Sequence, residues 1–435
     1  MLRFGRHPDD RDIMALAAPA LGALAADPLY SLVDTALVGN LGARELGGVA
    51  IGTAAFTASF WLFSFLVYGV TPRVARAIGA GDSRAATAIG VHALVMAVAI
   101  GVVLTMGGVV FAGPIVRLLG AGPDTVGFAE PYLRIRALAA VAVLIAQVGH
   151  GWTRGLQDTR TAMVVAVAGA VANAILDYVL IYPAGLGVQG AAWATVLGQW
   201  GVALAFVAIL RRRSEGARPR RLDVGVMRSL LVVGADLLVR NGSLLLALTV
   251  ATSVAARMGI VALGAWQITM QLFLFLSLVL DSVAIAAQAL VGRHLGAGSP
   301  GRADELARRL MEWGIVVGVA LAAALFVVRT PVAGLFADDA RVVASAAALI
   351  GWLALLQPLA AAAFTLDGIL IGASDTRFLA GAMAASSALY VALAVASLEA
   401  GWGTGGLAAG ATVWMVARTA TTGARLRGGR WTLTP

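Results

Sequence analysis

The chain has no cysteine and no lysine, and only 13% of its 435 residues are charged. Without cysteine it can form neither a disulfide framework nor a thiolate metal site. Its four histidines are scattered, with no metal-ligand spacing. The absence of lysine excludes a Gly-Lys-Ser/Thr phosphate loop and with it nucleotide-driven export. So little charge cannot cover the surface of a soluble protein of this length. Met1 to Arg11 is polar and basic, with no apolar core or cleavage site after it, so no removable signal peptide is expected. What the chain has in excess is apolar: 60% of residues are hydrophobic and the mean hydropathy is +0.88.

A membrane span needs about 20 mostly apolar residues to cross about 30 Å of hydrocarbon. Such runs fall near 13–39, 48–70, 86–111, 126–149, 161–182 and 190–210. A second set falls near 226–256, 260–283, 307–330, 342–366, 378–398 and 405–424. The expected fold is an all-α integral membrane protein of 12 transmembrane helices. Residues 1–210 form an N-terminal six-helix bundle, 211–225 a basic cytoplasmic linker and 226–435 a C-terminal six-helix bundle. All 32 basic residues are arginine, and the net charge of +9 suggests a nucleic-acid partner until their positions are considered. With the N-terminus inside, the inner loops carry roughly three times as many arginines as the outer ones, enough to set orientation. The outer set is Arg44, Arg117, Arg134, Arg136, Arg257, Arg329 and Arg341. Both termini are then cytoplasmic, and no nucleic-acid partner is needed. The Ala- and Gly-rich, all-Arg usage fits a GC-rich bacterial genome, hence a multi-pass protein of a bacterial inner membrane, surrounded by lipid and monomeric.

An internal repeat organises the chain. Gly79-Ala80-Gly81 returns as Gly296-Ala297-Gly298, Asp158-Thr159-Arg160 as Asp375-Thr376-Arg377, and Leu46-Gly47 as Leu263-Gly264. All three pairs share a spacing of 217 residues (79 to 296, 158 to 375, 46 to 263). A repeat of six helices keeps its orientation, so the halves are related by a pseudo-twofold axis along the membrane normal. Such proteins bind substrate between the halves and rock one half against the other, an arrangement that argues for a transporter.

Ionisable groups inside spans cost at least about 2.5–3.5 kcal/mol each and ask for an explanation. The candidates are Asp27, Asp34, His150, Asp177, Asp236, Arg240, Asp281 and Asp367. In the first half Asp34 lies in the outer part of span one. Asn173 and Asp177 share one face of span five, and Thr195 lies in the outer part of span six. Two carboxylates facing one cavity cannot both ionise cheaply, so one should hold a proton, which makes a proton-coupling device. Pro19 and Pro28 give span one places to bend. In the second half Asp236 and Arg240 are one turn apart and can pair. With Asp281 and Asp367 they leave about two negative charges, suited to an organic cation, to protons or to a sodium ion at Asp236 and Asp367. An ion-pair network holding the bundle together is the plainer reading of the same residues. The repeat places Asp367 opposite His150, and Asp34 opposite apolar Ala251.

At these residues the chain resembles the multidrug and toxic compound extrusion (MATE) family, and within it the DinF-like branch. The likeness is carried by Pro28-Leu29-Tyr30-Ser31-Leu32-Val33-Asp34-Thr35-Ala36-Leu37-Val38-Gly39-Asn40-Leu41-Gly42. It continues in Arg154-Gly155-Leu156-Gln157-Asp158-Thr159-Arg160 and Asn173-Ala174-Ile175-Leu176-Asp177. In the second half it lies in Asp236 with Arg240, in Leu280-Asp281-Ser282-Val283-Ala284-Ile285-Ala286 and in Asp367-Gly368-Ile369-Leu370-Ile371-Gly372-Ala373. The resemblance implies export of organic, cationic or amphipathic small molecules in exchange for protons or sodium, with no cofactor and no enzyme activity. It implies that Asp34 is the coupling carboxylate and that helix bending at Pro19 is linked to its protonation. It makes Asn173, Asp177 and Thr195 its hydrogen-bonding partners and Tyr30 a cavity residue. His150 stands where relatives commonly carry Asn, and Asp27 where a neutral polar residue is usual. Phe56, Phe60, Trp61 and Phe63 on span two offer stacking surfaces for aromatic substrates. The alternatives are a sodium-coupled antiporter and a flippase for lipid-linked precursors, which would need arginines lining a groove.

Overall fold

The computed structural model describes residues 7–61, 63, 65–214 and 223–433, so most of the basic linker lies outside the described residues. Long apolar stretches interrupted by Gly and Pro leave the backbone one way to satisfy its polar groups in hydrocarbon, the α-helix. In the first half the helices are α1 (Pro8–Gly39), α2 (Ala43–Trp61), α3 (Phe65–Gly79), α4 (Ser83–Val110) and α5 (Ala112–Leu118). They continue as α6 (Pro123–Ala137), α7 (Ala140–Gly155), α8 (Thr159–Ile181) and α9 (Gly187–Arg213). The second half comprises α10 (Val224–Arg257), α11 (Ile260–Gly296), α12 (Pro300–Phe336), α13 (Ala340–Gly372), α14 (Thr376–Glu399) and α15 (Gly403–Arg427). A short 3-10 turn, Arg430–Leu433, follows.

Among the described residues nine helices, α1, α4 and α8 to α14, are long and apolar enough to cross a membrane, and the bent pair α6–α7 makes a tenth. With α2–α3 and the more polar α15, they occupy the twelve expected positions. The protein is a multi-pass, all-helical membrane protein. The most apolar stretch of α12 is only 11% buried and that of α8 only 17%, so their Val and Leu side chains face outward, as toward lipid.

The repeat is visible in the backbone. Gly42, Gly81 and Gln157 have positive φ of 149°, 76° and 61°, and the positions 217 residues later, Gly259, Gly298 and Ser374, have 113°, 67° and 60°. Gln157 and Ser374 end α7 and α13 in the left-handed region that favours glycine. The same register places a small-residue seam in each half. A Cβ on Gly151 or Gly155 would come within 2.8 and 2.7 Å of the Val67 and Thr71 carbonyls of α3. A Cβ on Gly368 or Gly372 would come within 2.5 and 2.9 Å of the Ala284 and Gln288 carbonyls of α11. Backbone-to-backbone approach of this kind is how helices gain van der Waals contact without a hydrophobic driving force. Each half also ties the start of its fifth span to the end of its sixth. Asp158 caps α8 and pairs with Arg213 at 2.6 Å, and Asp375, at the N-cap position of α14 but without a side-chain cap bond, pairs with Arg425 at 2.7 Å.

The halves differ in continuity. α2–α3, α4–α5 and α6–α7 are broken where α11, α12 and α13 run through. The α6–α7 bend of 52° contains no proline. The carbonyls it frees, on Ala137 and Leu138, accept from Thr105 Oγ1 (3.0 Å) and Trp200 Nε1 (3.2 Å), which offsets the lost helix bonds. The compact units run over 18–234 and over 1–17 with 235–435. These limits differ from the bundle boundaries expected from sequence, because the opening segments of α1 and α10 are each assigned to the opposite unit. Within the second unit, Asp10 on α1 accepts from Arg309 (2.7 and 2.8 Å) and from Trp313 Nε1 (2.8 Å) on α12. α1 itself is one uninterrupted helix with Pro19 and Pro28 inside it.

Candidate functional site

In the unit spanning 18–234, Asp34 and Asp177 are buried, with 5% and 0% of their surface exposed. Asp34 Oδ1 and both oxygens of Asp177 have no hydrogen-bond partner among the described residues. The two carboxylates are close enough to act on each other electrostatically. Of the polar neighbours expected around Asp34, Thr195 donates back to Ala191 O in its own helix (3.1 Å), and Asn173 Oδ1 is unpartnered. Neither side chain hydrogen-bonds Asp34 or Asp177 among the described residues. A buried acceptor left in this condition is costly, and such groups concentrate where a proton, ion or ligand comes and goes.

A guanidinium that the sequence assigns to an outer loop also belongs to this site. Arg136 was placed among the outer loops, but the structure buries it on α6, 7% exposed, just before the α6–α7 bend. It donates to the Tyr132 hydroxyl and, at 3.4 Å, to the Tyr30 hydroxyl, and lies 4.9 Å above the Phe56 ring. Tyr30 is one helical turn before Asp34, which brings Arg136 close to the carboxylate pair. The signal was available: position 136 falls inside the apolar run 126–149. Phe56 is thus a wall against Arg136, and Phe63 packs at 6.1 Å on Phe65; the side chains of Phe60 and Trp61 lie outside the description.

A cavity of about 160 Å³ opens beside this pair. Asp27, Tyr30, Gln147, His150, Asn173 and Gln199 supply its polar lining, whereas Asp34 and Asp177 do not reach it. His150 lies edge-on to Phe206 at 4.7 Å.

The other unit carries a different arrangement. Arg240 does not spend its charge on Asp236 as expected: it pairs with Asp367 and hydrogen-bonds Asn241 Oδ1 at 2.8 Å. Asp236 accepts instead from Thr376 Oγ1 at 2.8 Å. Arg418, 2% exposed on α15, also pairs with Asp367 and lies 5.2 Å above the Phe364 ring. Arg418 was missed although it sits inside the run 405–424. With it, the expected surplus of two negative charges falls to one, and Asp367 is held between two guanidiniums. Asp281 on α11 is half-buried. Among the described residues no group of three His, Cys, Asp or Glu could hold a metal ion.

The MatE family model matches residues 19–179 and 239–396, once in each half. The chain belongs to the MATE family. Protein DETOXIFICATION 44, chloroplastic, of Arabidopsis thaliana is 34% identical over 385 residues, covering 86% of this chain and 74% of the relative. DNA damage-inducible protein F of Escherichia coli is 27% identical, covering 87% of this chain and 84% of its own length. A structure described as the outward-facing conformation of a multidrug resistance MATE family transporter of the MOP superfamily shares the fold, with TM-score 0.88 and 22% identity over 98% of this chain and 97% of that one. Within this MATE fold α1 and α8 of the first half carry the unpartnered carboxylates, while α10, α13 and α15 of the second half hold the Arg240–Asp367–Arg418 cluster.

Proposed function

We propose that this MATE protein is a secondary antiporter of a bacterial inner membrane that exports organic small molecules in exchange for protons. The observation that carries the reading is the pair Asp34 and Asp177, whose three buried oxygens lack partners. A buried carboxylate without a partner is tolerable when it carries a proton, so taking up or releasing one changes the energy of the packed bundle. Asn173, one turn before Asp177, and Tyr30, one turn before Asp34, with Thr195, are the groups that would follow that change, and Pro19 and Pro28 give α1 the positions at which to bend. Substrate enters with the pair deprotonated; protonation from outside, with both termini cytoplasmic, expels it; deprotonation inside resets the two bundles, which rock against one another. Binding of proton and substrate are linked reciprocally through that motion. Membership of the family and the likeness to DNA damage-inducible protein F favour the DinF-like branch, acting as a monomer without a cofactor.

Sodium coupling through Asp236 and Asp367 is the second reading. It is weakened because Asp367 already serves two arginines and Asp236 a threonine. A lipid-precursor flippase would need arginines lining a groove. Arg136 and Arg418 are buried and Arg240 half-buried, but they are engaged with tyrosines or Asp367, and none lines the 160 Å³ cavity. Vesicles containing the protein, loaded with a fluorescent organic cation and given pH and sodium gradients separately, test the proposal. The pH gradient alone should drive efflux, and Asp34→Asn should abolish it; a response to sodium alone would overturn the proton assignment.

A further inference from the structure

A second cavity, of about 820 Å³, lies within the unit that carries the second half, between the start of α12, the end of α15 and the Arg430–Leu433 turn. The arginine bias puts this end of the helices on the cytoplasmic side. Its rim is basic: Arg308 and Arg427 line it with one acid, Asp304, which leaves one net positive charge. Arg308 meets Asp304 at 2.7 Å in an exposed contact of little strength. Arg427, exposed on the last turn of α15, has no ion pair among the described residues. Ser299, the N-cap of α12, makes no side-chain cap bond, so the positive end of that helix dipole adds to the rim. Away from the rim the wall is apolar, with Met311 one turn along α12 from Arg308 and Leu366 on α13. The indole of Trp431, 0% exposed, forms another side and donates its Nε1–H to Leu426 O at 3.0 Å. One polar atom interrupts the apolar wall: Thr419 Oγ1, two turns before Arg427 on α15, is buried without a hydrogen-bond partner.

We infer that this cavity holds one anionic phospholipid, its phosphate between Arg308 and Arg427, an ester carbonyl accepting from Thr419 Oγ1 and the start of an acyl chain against Met311 and Leu366. Guanidiniums at the rim of a pocket between spans, on the cytoplasmic side, match a negatively charged headgroup. A water-soluble phosphate would use the same guanidiniums but would leave the apolar wall and the buried hydroxyl without a match. A phosphatidylcholine would match the wall but bring a quaternary ammonium to a rim that is already positive. The volume holds a headgroup and the adjoining chain segments, with the chain ends outside it. The site occupies one membrane face only, so its lipid is a bound component and not cargo crossing the membrane. The inference goes beyond the antiport reading and does not rest on it.

The test titrates purified full-length protein in detergent with dioleoylphosphatidylglycerol and with dioleoylphosphatidylcholine, and counts retained lipid by native mass spectrometry. One phosphatidylglycerol should be retained, about tenfold more tightly than phosphatidylcholine. Arg427→Ala should weaken it about fivefold, the worth of one basic contact, and narrow the preference. Thr419→Val should weaken both lipids alike, because both carry the ester carbonyl. Arg117→Ala, which removes an exposed arginine from the opposite end of the spans, should change neither. Phosphatidylglycerol with brominated chains should quench tryptophan fluorescence, and Trp431→Phe should remove a fixed part of that quenching. Thermal unfolding of each variant beside the parent protein separates lost binding from lost folding. Equal retention of the two lipids, or an equal fall in Arg427→Ala and Arg117→Ala, overturns the inference. So does glycerol 1-phosphate displacing phosphatidylglycerol at the lipid's own concentration, which would make the site one for a soluble anion. Failure of pH-driven efflux would refute the antiport reading and leave this one standing.

Discussion

The same chemical change, Asp to Asn, should have opposite consequences at two buried positions. Asp367 is 2% exposed and is the shared counter-charge of Arg240 and Arg418, whose side chains are 12% and 2% exposed. Asp367→Asn keeps the volume but leaves two guanidiniums facing one another with no anion between them. Removing one partner from a buried ion pair typically costs about 3–5 kcal/mol, and the repulsion between the arginines puts this case at the upper end. That corresponds to a fall of about 5–10 °C in melting temperature. Asp177 is equally buried but satisfies nothing. Asp177→Asn replaces an unpartnered carboxyl by a neutral amide of the same shape and should change stability by less than about 1 kcal/mol, in either direction. Thermal unfolding in detergent, followed through the ten tryptophans, reads both variants in one assay. An equal loss at both positions, or no loss at Asp367, would refute the argument that partners rather than burial decide the cost.

Further outcomes follow from the packing. Gly368→Val drives a Cβ to 2.5 Å from the Ala284 carbonyl and should cost about 1–3 kcal/mol or more through overpacking, seen as lower folded yield and melting temperature. Ser374→Gly relieves a φ of 60° and should raise stability by about 0.5–1 kcal/mol in the same measurement. Asp158, outside the spans, feels burial that would raise its pKa, but hydrogen bonds from the Thr161 amide and hydroxyl and from Arg213 hold it below the usual 3.8. Its contribution to stability is therefore full above about pH 4 and lost as pH falls through the lower folded value. Asp158→Asn should flatten the acid side of a stability–pH curve, with little effect on its shape at neutral pH.

Much of this protein can be read from its residues in order. Apolar run length forces helices, because hydrocarbon offers the backbone no other partner, and a shared spacing in three motifs reveals the repeat. Prolines at 19 and 28, the acids of spans one and five and the family likeness all lie in local sequence. What the residues do to one another does not. Arg240 has Asp236 one turn away, yet its partner is Asp367, supplied by a helix more than a hundred positions later. Arg136 and Arg418 look like misplaced loop charges until packing surrounds them with tyrosines or with a carboxylate. Asp27 and Asp34 are two turns apart on one helix, and only the fold exposes the first to a cavity and seals the second from it. Sequence determined that charges lie within the membrane, because hydrophobic run length is a local property. Tertiary structure decided which of them are satisfied, because a hydrogen-bond partner in a helical bundle comes from another helix.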